Sequence, residues 1–413
     1  MTYQKRKLAS IGSGLLAISL LLLTDTPSFA QGSQERLVLA FYYAWYDKNT
    51  WKSGQVPDLP LILYASANRE TMARHIGQAR GAGIDAFVLN WWGKNNPTDK
   101  NLATLLDVAA EHGFHIAVDF DLNSPFMRSM ETYVDHLRHL HTVHAEHPAY
   151  LRVQGHPVVF FYNVSRLPVS TWQTLRAQVD PDHRAWWIAE GTDLKYLSVF
   201  DGHHLYSIIW PNGMAPANIL PTWGKRVHTY NEQHKTVKLW VATVMPGYDD
   251  RKARPTHGFA RPRQEGEFYR QCWQAAIVSR PHWVVINSFN EWLEGSYIEP
   301  SQAYGTFYLE LTQEWVAQFK TAPDTGPILH SNSLRPPSPS PAPLSSPPLP
   351  TPIPASTSQP VARLCSWSES WILPDSLARE YRCRWFENDS ASDFWLSCRF
   401  LDSRAWPSVP ISY

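Results

Sequence analysis

The sequence predicts a single (β/α)8 barrel, class α/β, followed by a Pro/Ser-rich linker and a short C-terminal tail. Three observations carry that reading. Residues 31 to about 325 alternate short apolar runs with amphipathic helical patterns. Aromatic and carboxylate residues stand just after several of those runs, where the C-terminal rim of a barrel gathers its functional groups. Residues 331–360 then turn to Pro and Ser, as in Pro336-Pro337-Ser338-Pro339, a composition that buries no core.

Taken in order, the first apolar run, 37–43, leads into Tyr43-Ala44-Trp45-Tyr46-Asp47. A helix is expected at 69–80, with Met72, Ile76 and Ala79 on one face. The second strand, 86–90, runs into Trp91-Trp92-Gly93, and a helix at 101–111 repeats Leu102, Leu105, Leu106 and Ala109. The third strand, 115–120, is followed by Asp121 and Asn123, then a helical segment at 130–147. Strands at 158–162 and 186–189 flank a helix at 170–179. The sixth strand is read at 204–209, around Tyr206. The seventh, 238–243, leads to Pro246-Gly247-Tyr248-Asp249-Asp250 and a helix at 268–279. The eighth, 283–287, is β-branched and preceded by Pro281, and a helix at 305–319 closes the domain. A doubly wound open sheet is the structural alternative. No Gly-x-Gly-x-x-Gly follows a strand, so its nucleotide-binding version has no support.

Lys plus Arg and Asp plus Glu each number 37, so the balanced charge points to neither nucleic acid nor an anionic membrane as partner. The 19 Trp and 18 Tyr suit either a large aromatic core or sugar-stacking surfaces, and abundance alone does not choose. Lys5-Arg6-Lys7, the apolar stretch 15–23 and Ser28-Phe29-Ala30 have the form of a signal peptide cleaved after Ala30. The expectation is therefore a secreted or extracytoplasmic protein, monomeric, with no membrane span once residues 1–30 are removed; an uncleaved anchor is the alternative. Cys272 is expected as a buried thiol, and Cys365, Cys383 and Cys398 allow one disulfide. His136, His139, His141, His144 and His147 lie on a polar helical segment without a second ligand cluster in the sequence. A solvated helix is expected there, with no metal and no cofactor. The tail, 361–413, holds Trp367, Trp371, Trp385, Trp395 and Trp406 but sustains no strand or helix period.

The chemistry concentrates in Phe289-Asn290-Glu291-Trp292-Leu293-Glu294-Gly295, just past the eighth strand. Two carboxylates three residues apart share a face if the chain turns helically there. Close carboxylates cannot both ionise easily, so one holds a proton while the other stays charged. That is an acid and a base at neutral pH, as glycoside cleavage requires. The plainer reading of the pair is two surface glutamates at a helix start.

Residues 37–320 resemble glycoside hydrolase family 99, the endo-α-mannosidase and endo-α-mannanase family. The motifs are Phe41-Tyr42-Tyr43-Ala44-Trp45-Tyr46, Gly83-Ile84-Asp85-Ala86 through Trp91-Trp92-Gly93, His147-Pro148-Ala149-Tyr150 and Gly155-His156-Pro157-Val158. They continue with Phe200-Asp201-Gly202, Pro246-Gly247-Tyr248-Asp249-Asp250 and Ser288 through Pro300. The resemblance implies retention without a glycosyl-enzyme bond. Glu291 then acts as base on the sugar 2-hydroxyl, which attacks its own anomeric carbon, and Glu294 as acid/base at the leaving oxygen and then on water. Rim position and the family pattern together nominate Tyr43, Trp45, Trp91, Trp92, Asp121, Tyr206, Tyr248, Arg254, Asn290 and Trp292 as glycan contacts. Three departures bear on specificity. Leu293 stands where the family usually has His, Asp121 where it has Glu, and 47–64 offers only Asp47 and Asp58 for a sugar-contacting glutamate. A polysaccharide-biosynthesis protein with a similar domain, or a non-catalytic glycan-binding barrel, are the rival readings.

Overall fold

In the computed structural model, which describes residues 36–209, 215–322, 381–387 and 394–400, eight parallel strands close on themselves. They are β1 (Val38–Tyr42), β2 (Ala86–Trp91), β3 (His115–Asp121), β4 (His156–Tyr162), β5 (Trp186–Glu190), β6 (Gly202–His204), β7 (Leu239–Val244) and β8 (Trp283–Ile286). Each pairs with its sequence neighbours, and β1 pairs with β8, so the ring has no edge. Closure excludes the open doubly wound sheet and leaves a TIM barrel.

Strand alternation sorts the side chains into two layers. Leu39, Phe41, Val88, Ala117, Phe160, Ile188, Val241 and Val285 form one buried cluster, the barrel interior. Ala40, Tyr42, Phe87, Leu89, Trp91, Phe120, Phe161 and Trp187 belong to the other, between barrel and helices. The outer layer is completed by α1 (Arg69–Gly81), α2 (Pro97–Glu111), α3 (Met130–His139), α4 (Val169–Val179), α5 (Pro216–His234), α6 (Glu267–Val278) and α7 (Phe307–Thr321). Between β5 and β6 a single turn of 3-10 helix, Leu194–Ser198, takes the place of a full helix.

Three expectations needed correction. The sixth strand lies at Gly202–His204 rather than 204–209. Gly202 pairs with both Ile188 and Leu239, and a Cβ there would come within 2.7–2.8 Å of their side chains. Only glycine lets the two neighbours close on it. Helix α5 was not expected, because Pro221 and Gly224 interrupt its pattern. Pro216 starts it at the first helical position, where a missing N–H costs nothing, and Gly224 packs directly against the Ser279 carbonyl. The histidine segment is not a solvated helix: α3 gives way to a π-turn at Leu140–His144, and His136 and His144 are buried.

Cys272 is a buried free thiol, pushed up to about 12 by burial. No helix among the described residues is long and apolar enough to cross a membrane. Residues 1–35 and the expected linker, 326–360, lie outside the described residues. In the tail, Tyr381–Glu387 and Phe394–Phe400 pair antiparallel, with Cys383 opposite Cys398.

Candidate active site

The loop after β8 is tied down before it presents any chemistry. The Asn290 side chain accepts from the Tyr43 N–H at 2.8 Å and donates to the Tyr43 carbonyl at 2.9 Å, joining this loop to the end of β1. Ser288 Oγ accepts from the Glu291 N–H at 2.6 Å. Residues 292–295 form turns, not the helix start the spacing suggested. The Gly295 N–H bonds the Trp292 carbonyl and the Ser296 N–H bonds the Glu291 carbonyl. Gly295 adopts φ 61°, and its Cα faces the Asp249 backbone so closely that a Cβ would stand 3.0 Å away.

Glu291 is buried, 4 % exposed. Its Oε1 accepts from the Tyr46 hydroxyl at 3.2 Å and the Leu293 N–H at 3.1 Å. Burial, then the nearby Glu294 charge, raises its pKa well above the usual glutamate range. Glu294 is raised too, by burial, but Arg254 opposes the shift. The Arg254 guanidinium reaches Glu294 Oε1 at 3.0 Å, and the Tyr206 hydroxyl stands 3.4 Å from Oε2. Arg254 is itself held by Asp250 at 2.6 Å and the Tyr248 hydroxyl at 3.0 Å. Burial thus pushes both carboxyls toward the neutral form, and Arg254 opposes this most directly at Glu294, so the pair holds a proton between them more readily than separate carboxylates would.

Around this pair the nominated aromatics and supports lie at different depths. Tyr43, Trp45, Trp92, Tyr206 and Tyr248 reach the rim. Trp45 contacts Tyr43 and Trp92, with ring centroids 4.8 and 5.1 Å apart, and the Tyr43 and Tyr206 hydroxyls are 2.7 Å apart. Beneath them Phe41, Phe160 and His204 fill the barrel, and burial pushes His204 down to about 3, so it stays neutral. Asn290 and Trp292 are fully buried supports. Trp292 stacks on Tyr297 at 3.9 Å and donates its indole N–H to Glu299 at 3.0 Å. Trp91 is brought elsewhere. Val88 and Asn90 fix the inward parity of β2, so Trp91 points outward against Phe120, fully buried.

Asp121 joins a carboxylate wall that the sequence reading saw only in part. Asn90 Nδ2 donates to Asp119 at 3.2 Å and to Asp121 at 3.3 Å. Burial and the neighbouring Asp121 raise Asp119 well above its usual range, and burial raises Asp121. Glu190, last residue of β5, is pushed up to about 7 by burial despite accepting the Asn163 N–H at 3.1 Å. Asp119, Asp121 and Glu190 share the inward parity of their strands. That alternation was the available signal for Asp119 and Glu190, and it was not used. In the loop after β1, Asp47 caps its own turn and Asp58 accepts from Tyr297 and Ala303, so both carboxylates are engaged in structure.

A glutamate pair at the C-terminal rim, flanked by aromatic faces and hydroxyl-accepting carboxylates, is suited to acid–base work on a polyhydroxylated substrate. The glycosyl hydrolase family 99 model matches residues 52–321. The chain belongs to this family. A mouse glycoprotein endo-alpha-1,2-mannosidase-like protein is 27% identical over 293 residues, covering 62% of this chain and 63% of that one. The rat glycoprotein endo-alpha-1,2-mannosidase is 25% identical over 293 residues, covering 62% of each. This family 99 chain thus spans under two thirds of the length of the curated relatives it matches. The structure of the GH99 endo-alpha-mannosidase from Bacteroides thetaiotaomicron superposes with a TM-score of 0.61 at 25% identity, over 70% of this chain and 98% of that one. Among the described residues of this family 99 barrel, one set of His, Cys, Asp or Glu atoms has metal-like spacing: Asp99, His139 and His144, around Trp91.

Proposed function

We propose that this family 99 protein is an exported glycosidase that cleaves internal α-mannosidic bonds with retention, through the substrate's own 2-hydroxyl. The observation that carries the reading is the buried Glu291–Glu294 pair at the barrel rim, with Arg254 bonded to Glu294 at 3.0 Å. The 2-hydroxyl oxygen attacks C1 while a carboxylate removes its proton, and the C1–O bond to the leaving sugar breaks as the other carboxyl protonates that oxygen. Water then opens the 1,2-anhydro ring with the proton transfers reversed. The resemblance gives the base role to Glu291. Burial in the free protein favours the neutral form at that residue, so the reading requires the shared proton to pass to Glu294 when substrate fills the cleft. Tyr46 and the Leu293 N–H, both donors to Glu291, would stabilise the carboxylate so formed. Trp45 and Trp92 offer faces for pyranose rings, and Asp119, Asp121 and Glu190 accept hydroxyl hydrogens.

The test is product analysis. With α-mannan, the first-formed sugar should be the α-anomer by NMR, and a 2-deoxy analogue should be inert. Glu294→Gln should spare substrates with activated leaving groups, which need little protonation, while Glu291→Gln should lose both kinds. A β-anomer first, or turnover of the 2-deoxy substrate, would exclude neighbouring-hydroxyl participation. The opposite mutant pattern would exchange the two roles.

A further inference from the structure

Three imidazoles gather outside the barrel, on the far side of β2 from the cleft. The rings of His136, His139 and His144 pack around the outward-facing Trp91, with centroids 6.1, 6.4 and 6.0 Å from it. Asp99, in the first turn of α2, reaches the same place from a different element. Its Oδ1 stands 2.8 Å from His144 Nε2 and 3.7 Å from His139 Nε2. One ligand atom from each of Asp99, His139 and His144 lies within 4.8 Å of the other two.

The backbone is shaped to make this meeting. Five α-helical residues rotate a side chain to about 140° from its start, so His139 and His144 would diverge on a regular helix. The π-turn Leu140–His144, closed by the Ala145 N–H to the Leu140 carbonyl at 2.8 Å, is wider per turn and returns both rings to one side. The carboxylate is oriented by groups outside the set: Trp91 Nε1–H donates to Oδ1 at 3.1 Å and the Asn95 N–H to Oδ2 at 2.9 Å. Outer partners of this kind fix a ligand's direction. Lys94, the nearest ammonium acting on these rings, pairs with Asp135 at 2.6 Å.

We propose that Asp99, His139 and His144 bind one divalent transition-metal ion of the zinc type, which clips α2 to the π-turn after α3. Two imidazole nitrogens and one carboxylate oxygen are a donor set for zinc, cobalt or nickel, with a further position left for water; calcium and magnesium prefer oxygen alone. Ligands about 2.0 Å from a tetrahedral ion stand about 3.3 Å from one another. The Asp99–His144 separation opens, and the Asp99–His139 separation closes, by roughly half an ångström each. His139 is 27% exposed and provides the way in. The ion sits behind the cleft wall: Thr98, next to Asp99, accepts the Trp92 N–H at 3.0 Å. Its occupancy firms the turn that carries Trp92.

The test uses the full chain without an affinity tag, stripped with chelator and titrated with cobalt(II), then with zinc(II). One equivalent should produce the visible d–d absorption of low-coordinate cobalt, zinc should displace it, and zinc should raise the unfolding temperature. His139→Gln and Asp99→Asn should each weaken zinc binding about tenfold or more, and His257→Gln, at an exposed histidine, should bind as the parent does. Zinc should also shield His139 of the unmutated chain from diethyl pyrocarbonate, which keeps the question answerable if a variant folds poorly. A titration that does not saturate, full affinity in both His139→Gln and Asp99→Asn, or modification of His139 at the same rate with zinc present would overturn the site.

Discussion

Two buried charge clusters lie at opposite ends of the strands, and they are built on opposite principles. Below β5 and β6, Arg176 reaches Asp201 at 2.7 Å, Asp180 at 3.3 Å, and the carbonyls of Val199 and Ala185. Asp201 also accepts the Trp187 N–H at 2.9 Å, and the guanidinium lies 4.8 Å from the Trp187 ring. Carboxylates there meet a cation that is itself 2% exposed. At the other end, of the two glutamates it is Glu294 that bonds part-exposed Arg254, which Asp250 already engages. With Lys238 also 3.9 Å from Asp201, two cations face two carboxylates, and this first cluster holds elements in place. The second keeps a deficit of positive charge, so a carboxyl there retains a proton in the range where enzymes work. Buried charge alone does not mark a site; imbalance within it does.

The largest break in that contrast should come from Glu291→Gln. Turnover should fall about a thousandfold or more while the circular dichroism spectrum is unchanged, because an amide cannot serve as the acid or base but fills the same space. If activity survives, the pair is not the catalytic centre. Arg176→Met should do the reverse. Leaving Asp180 without its cation and Asp201 with Lys238 alone should cost about 3–5 kcal/mol of stability by denaturant unfolding, with turnover per folded molecule kept. Loss of turnover without loss of stability would show that the lower cluster is not merely structural.

Arg254→Gln sharpens the comparison by deepening the imbalance. Glu294 loses the cation that opposes its upward shift, so its pKa should climb further. If Glu294 is the acid, the alkaline limb of the kcat/KM profile moves to higher pH. Movement of the acid limb instead identifies Glu294 as the base. The smallest effect is on stability. A carboxyl raised on folding binds its proton more tightly in the folded chain, so its contribution is present at low pH and is lost as pH rises through the folded value. Glutamine has no such loss. The Tm of Glu291→Gln relative to the parent should therefore increase from pH 5 to pH 8, and a difference independent of pH would mean that Glu291 is not raised.

The alternation of apolar runs and helical patterns was enough to specify a closed barrel, and a carboxylate pair past the last strand was legible from the strand alone. Trp91 and Trp92 show where reading stopped. Both follow the second apolar run, and rim position nominated both. Strand parity, already fixed by Val88 and Asn90, sends Trp91 into the outer layer. The same parity would have found Asp119 and Glu190. The histidine segment shows a different limit. Its partner is Asp99, about forty residues earlier in the chain, and the π-turn that aligns its rings leaves no periodic signature.

What the sequence by itself determined is which elements form and in what order. Period-2 apolar runs and period-3.6 faces are local facts, encoded by neighbours along the chain. It also determined the chemistry available, because Glu291, Glu294 and Arg254 carry their functional groups wherever they lie. Only the tertiary structure decided their protonation. A pKa depends on burial and on charges brought close by folding, here Glu294 beside Glu291 and Arg254 beside Glu294. Those distances are set by ring closure between β1 and β8, fastened by Asn290 to Tyr43 across 247 residues of chain. No stretch of sequence contains that proximity; it exists once the barrel closes.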